Sequence, residues 1–132
     1  MEPIIAWVLA LFFVQTLLSP AIRYLHARAG LAGRLRIALG PRDQPPPETP
    51  LSARSARALA NLQEALPIFL TVALLHVHRG TGAAAAPWGA AFALARTLYV
   101  PAYLSGVPGL RSAVWVSSWI GLGGMIVALL RS

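Results

Sequence analysis

Four long apolar stretches alternate with short polar ones along the chain, and each is long enough for a helix that crosses a bilayer core of about 30 Å. Their placement predicts transmembrane helices over residues 3–27, 52–78, 83–103 and 111–130, an all-α integral membrane bundle in a single domain, 1–132. In the first span Gln15 is the one mid-span polar side chain, expected to hydrogen-bond another helix, and Pro20 marks an expected kink. Glu2 stands where a secretory leader would be basic and no small-residue cleavage site follows, so this span is expected to remain in the mature chain. Beyond Arg28 the prolines at 45, 46, 47 and 50 favour extended backbone in an aqueous loop. Leu31, Leu35 and Ile37 are spaced to lie on the membrane surface there, as a short amphipathic turn.

The second span carries the most costly pattern. With Arg57 at zero and about 100° per residue, Asn61 falls at about +40°, Glu64 at about −20°, Arg54 at about +60° and Thr71 at about −40°. Leu59, Leu62, Leu66, Phe69 and Ala73 occupy the other face. The pattern predicts an apolar back offered to lipid or a neighbouring helix and an Arg, Asn, Glu front turned inward, where ionisable side chains in a membrane segment mark a site. Pro67 is expected to kink the helix, and His76 and His78, two residues apart, do not share a face as helical metal ligands would; they are expected to cap the helix or sit at the interface.

The third span is rich in alanine, which permits close helix contact, and places Arg96, Tyr99 and Tyr103 within about 60° of one another, a second polar stripe. Arg111 opens the fourth span, where Ser117, Gly121 and Gly124 form a small-residue seam for packing.

Composition sharpens this picture. The chain is 57% hydrophobic, above the range of soluble domains, and its formal charge of +7 comes from 11 basic residues, all arginine, against four acidic ones. These arginines are scattered over loops and helix ends without forming a basic stripe on a soluble face, which disfavours nucleic acid as partner. With no cysteine, disulfides, thiolate metal sites and a cysteine nucleophile are excluded. Arg28, Arg34, Arg36, Arg42, Arg54, Arg57 and Arg111 gather at the connections between spans 1 and 2 and spans 3 and 4, while Arg79 and Arg131 lie at the other end. By the positive-inside rule those two connections are expected to be cytoplasmic and both termini non-cytoplasmic.

The run Arg-x-x-Arg-x-x-x-Asn-x-x-Glu-x-x-Pro-x-Phe, written by Arg54, Arg57, Asn61, Glu64, Pro67 and Phe69, resembles the second-helix signature of the MAPEG family, membrane-associated proteins in eicosanoid and glutathione metabolism. ARTLYVPAYLSGVPGLR, from Ala95 to Arg111, is similar to the passage between the third and fourth helices of that family's microsomal glutathione transferases, and LGPRDQPPP is similar to a loop of its small bacterial members. The resemblance implies a left-handed four-helix bundle per protomer, a homotrimer in a bacterial inner membrane, and glutathione as cosubstrate between neighbouring subunits near the cytosolic face. It assigns Arg57, Asn61 and Glu64 to the charged and amide groups of the tripeptide, with Tyr99 and Tyr103 touching it and Arg111 stabilising its thiolate as the catalytic residue. Arg54 and Arg28 are weaker carry-overs of the same kind. Leu59 stands where many members have histidine and Ala65 where the leukotriene synthase type has tyrosine, so the lipid-specific synthases are poor guides.

Glutathione carries two carboxylates and one ammonium, which a set of two arginines, a glutamate and an asparagine complements, and a guanidinium beside sulfur favours the nucleophilic thiolate. No metal is required. The expected activity is that of a glutathione-dependent transferase or peroxidase acting on hydrophobic electrophiles or lipid hydroperoxides that arrive from the bilayer. The residues also admit a noncatalytic membrane protein that binds a thiol or lipid or serves assembly, with Arg57 and Glu64 as an interhelical ion pair and the tyrosines as an interfacial belt. A transporter is disfavoured because the polar stripes stop near one face.

Overall fold

A computed structural model describes residues 1–27, 30–40 and 46–132. The described residues form five helices in the order α1 (Glu2–Leu25), α2 (Leu31–Leu39), α3 (Pro50–His78), α4 (Gly82–Ser105) and α5 (Leu110–Leu130). α1, α3, α4 and α5 correspond to the four expected spans. By length and hydropathy α1, α3 and α5 qualify to cross a membrane. α4 falls outside that set, its mean hydropathy lowered by Arg96, two prolines, glycine, tryptophan and tyrosine.

Differences from the sequence expectation are local and have physical causes. α3 starts at Pro50 because proline, lacking an N–H, is preorganised for the first turn of a helix. Thr49 then completes a capping box, its hydroxyl accepting from the Ser52 N–H at 3.1 Å while the Ser52 hydroxyl accepts from the Thr49 N–H at 2.9 Å. The helical assignment runs through Pro20, Pro67, Pro87 and Pro101. The segment expected to be a short amphipathic turn is instead the nine-residue helix α2.

α3 inverts the expected orientation. Ala58, Leu62, Ala65, Phe69, Val72 and Ala73 are buried within the bundle, whereas Arg57, Glu64 and Thr71 are exposed on its outside and Arg54 and Asn61 are half-buried. One protomer supplies dense apolar packing for the leucine and phenylalanine face, and Arg57 and Glu64 on the other face are left outward. The core gathers Val8, Phe69, Phe92, Leu122 and Met125, with the Phe69 and Phe92 rings stacked at 4.7 Å and 9°.

α4 packs chiefly on α5, and α3 chiefly on α1. On the α4–α5 seam an added Cβ at Gly121 would meet the Phe92 amide nitrogen at 2.8 Å, and one at Gly124 would meet the Trp88 ring. These glycines set how near the helices approach, as a small-residue seam predicts. Ser117 does not belong to it: it is exposed and returns its hydroxyl to the Ala113 carbonyl at 2.9 Å, while its neighbour Ser118 is the buried serine.

Two polar expectations are corrected here. His76 is neither a cap nor an interfacial residue. It is fully buried, its Nε2 donating to the Met125 carbonyl at 2.9 Å and its Nδ1 accepting from the Thr81 hydroxyl at 2.8 Å, so that it ties α3 to α5 and to the α3–α4 turn. Gln15 is buried, but its Oε1 has no hydrogen-bond partner among the described residues; a side-chain link from α1 to α3 is made one turn later by Ser19, whose hydroxyl donates to the Ser52 carbonyl at 3.1 Å.

Candidate functional site

The start of α3, the end of α4 and the start of α5 meet at one end of the bundle, and the polar stripes meet with them. Buried Ser52 and Ser55 seat the first turns of α3, so Arg54 and Arg57, each two residues on, project from neighbouring parts of its flank. Arg54 reaches across to α4, where its Nη1 donates to the Leu104 carbonyl at 3.0 Å, an acceptor left open by the helix end. The turn from α4 to α5 is shaped around this guanidinium. Gly106 has φ of 71°, a backbone conformation that favours glycine, and the Arg54 guanidinium lies over it, 2.7 Å from where a Cβ would stand.

On α4 Tyr99 is buried and Tyr103 half-buried, with their rings edge to face at 5.4 Å. A buried Tyr99 is not a residue of an interfacial belt. Arg111, in the first turn of α5, is exposed and holds its guanidinium carbon 5.3 Å from the centre of the Tyr103 ring, within cation–π range.

Two clefts adjoin through Tyr103 and Arg111. One, of about 290 Å³, is lined by Arg54, Arg57, Tyr103, Arg111 and the Gly106–Gly109 turn. The other, of about 340 Å³, is lined by Asn61, Tyr99, Tyr103, Arg111, Ser112 and Trp115. Six of the expected site residues, Arg54, Arg57, Asn61, Tyr99, Tyr103 and Arg111, are thus brought together from three helices. Asn61 commits its Nδ2 to the Arg57 carbonyl at 3.0 Å. Glu64 shares their face of α3 but lines neither cleft. It makes no ion pair with Arg57 among the described residues, and both are exposed. Arg28 lies outside the described residues.

Three participants were not among the expected site residues. Ser112 and Trp115 line the second cleft; the i, i+4 spacing of Trp115 from Arg111 was a readable signal, whereas Ser112, next to Arg111 in sequence, had none. Arg96, only 1% exposed, donates from Nη1 to the Asn61 carbonyl at 3.2 Å and lies 5.4 Å from the Phe92 ring centre. Its Nε and Nη2 have no hydrogen-bond partner among the described residues. Its place on one stripe with Tyr99 and Tyr103 had pointed here.

Chemically the arrangement presents several guanidinium groups, an amide and two phenols to a small space at a bundle end, a donor-rich setting for an anion that carries a soft or aromatic part. No curated protein matches the chain. The MAPEG family, whose members are integral to membranes and include glutathione transferases and peroxidases, matches residues 4–131. With that match covering nearly its whole length, the chain belongs to the MAPEG family.

Proposed function

We propose that the protein is a glutathione-dependent membrane transferase or peroxidase for hydrophobic electrophiles or lipid hydroperoxides. The observation that carries this reading is the convergence of Arg54, Arg57, Asn61, Tyr99, Tyr103 and Arg111 on two clefts that share Tyr103 and Arg111. In this reading Arg57 and the free N–H groups of Arg54 hold the carboxylates of glutathione, Asn61 holds an amide, Tyr99 and Tyr103 wall the peptide, and Glu64 takes its ammonium. Arg111 stands beside the sulfur and favours the thiolate, the form that attacks. In conjugation the sulfur forms a thioether as the leaving group departs with the bonding pair. In peroxide reduction the sulfur takes the terminal peroxide oxygen, the O–O bond breaks to release an alcohol, and a second glutathione converts the sulfenic acid to disulfide and water.

The exposed face of Arg57 and Glu64 supports a homotrimer, because a charged front left outward in a membrane segment calls for a neighbouring subunit. In the same reading all four long helices cross the bilayer, with the clefts on the cytoplasmic side of a bacterial inner membrane and both termini on the other. Purified protein is expected to conjugate a chromogenic aryl halide to glutathione, and Arg111→Ala to lower the rate about 10²-fold. Wild-type protein that binds glutathione without turnover would identify a noncatalytic thiol-binding protein instead.

A further inference from the structure

Nine residues long and joined to the bundle through α1, α2 has two unlike faces. With Leu31 at zero and about 100° per residue, Leu35 falls at about 40° and Leu39 at about 80°, one stripe centred on Leu35. These leucines are 77%, 53% and 85% exposed, respectively. Gly33 and Ile37 fall at about 200° and 240°, on the opposite face, and both are less exposed than the leucines. Ile37 lines a cleft of about 390 Å³ with Arg23, His26, Pro46 and Thr49. Arg36 at about 140° and Arg34 at about 300° lie about 100° to either side of the leucine stripe.

Its position in the chain limits where this helix can be. The helices before and after it, α1 and α3, are both long and apolar enough to cross a membrane, and only residues 26–30 separate α1 from α2. At about 3.5 Å per residue, α2 begins within about 20 Å of the point where α1 leaves the hydrocarbon. A stripe of bare leucines at that level, bordered on each side by arginine, fits one environment: acyl chains beneath the leucines and phosphate groups level with the guanidinium groups.

We propose that α2 is an in-plane helix that docks on the leaflet at this end of the bundle and prefers anionic phospholipid headgroups. Leu31, Leu35 and Leu39 enter the boundary between headgroups and chains, Arg36 meets the phosphates, and Gly33 and Ile37 keep the helix against the protein. Anionic lipid adds to the attraction because the surrounding segment is rich in arginine and each cation near a negative leaflet contributes separately. The proposal is independent of the thiol chemistry assigned to the clefts.

Because the chain has no cysteine, one introduced thiol labels one place. Leu35→Cys, Leu39→Cys and Ile37→Cys would each carry a nitroxide in nanodiscs of phosphatidylcholine with and without phosphatidylglycerol. Collision rates would be read with oxygen, which partitions into lipid, and with a water-soluble nickel chelate. Labels at 35 and 39 are expected to meet oxygen more than nickel, and to shift further toward oxygen when phosphatidylglycerol is present; Arg36→Glu in the Leu35→Cys background should reduce that shift. The label at 37 should be shielded from both reagents. Labels at 35 and 39 that meet nickel more than oxygen would overturn the docking. So would labels shielded from both, which would mean that a second copy or another part of the chain covers the stripe. A lipid-facing label indifferent to phosphatidylglycerol would overturn the preference for anionic headgroups.

Discussion

Gly106 holds a left-handed backbone beside the Arg54 guanidinium, a conformation that any side chain would strain. Gly106→Ala is expected to cost about 1 to 3 kcal/mol and to loosen the turn that carries Arg111, seen as a lower thermal midpoint in detergent. An unchanged midpoint would contradict the left-handed turn at Gly106. Glu64 is the opposite case, an exposed carboxylate with no ion pair to Arg57 in the protomer. If it receives the ammonium of glutathione, Glu64→Gln should weaken glutathione binding about ten- to a hundredfold, the worth of a charge-assisted hydrogen bond, with little change in thermal stability. The opposite pattern, a destabilised protein with unchanged affinity, would assign Glu64 to assembly. Calorimetric titration and a thermal melt on the one variant distinguish these.

Among the elements, the four long helices were legible because apolar runs of this length announce themselves, and their ends were legible within a few residues. The stripe on α3 was legible as a stripe but not in its direction. Periodicity shows that Arg57, Asn61 and Glu64 share a side; only packing shows that Leu62 and Phe69 take the inside. His76 was misplaced for a similar reason, since nothing in a sequence shows that Thr81 and the Met125 carbonyl lie within reach of one imidazole. Arg96 and Tyr99 were visible as one face of α4, and the cleft residues on helices were legible as faces, whereas the Gly106–Gly109 turn that helps line the first cleft has no such period. The α4–α5 seam offers a paired test. Gly121→Ala places a methyl group against Phe92 backbone and is expected to cost about 1 to 3 kcal/mol, whereas at Gly123 an added Cβ meets nothing within 4 Å. Gly123→Ala should be neutral or stabilising by up to about 1 kcal/mol. Equal effects of the two in a detergent melt would refute the packing described for α4 and α5.

For the whole molecule, Arg57 and Glu64 of α3 stand exposed on the outside of the protomer. Native mass spectrometry in detergent is expected to find trimers, and a reporter fused after Ser132 is expected to be non-cytoplasmic; monomers alone, or a cytoplasmic reporter, would contradict the assembly and the topology respectively. The central claim, however, is that the clefts around Tyr103 and Arg111 bind glutathione and hold it as thiolate. Ultraviolet difference titration of the purified protein with glutathione at neutral pH tests this most directly, because thiolate absorbs where thiol does not. The expected result is a saturable thiolate band that is lost in Arg111→Ala while glutathione binding persists; glutathione that does not bind, or that binds to the wild-type protein only as thiol, would contradict it.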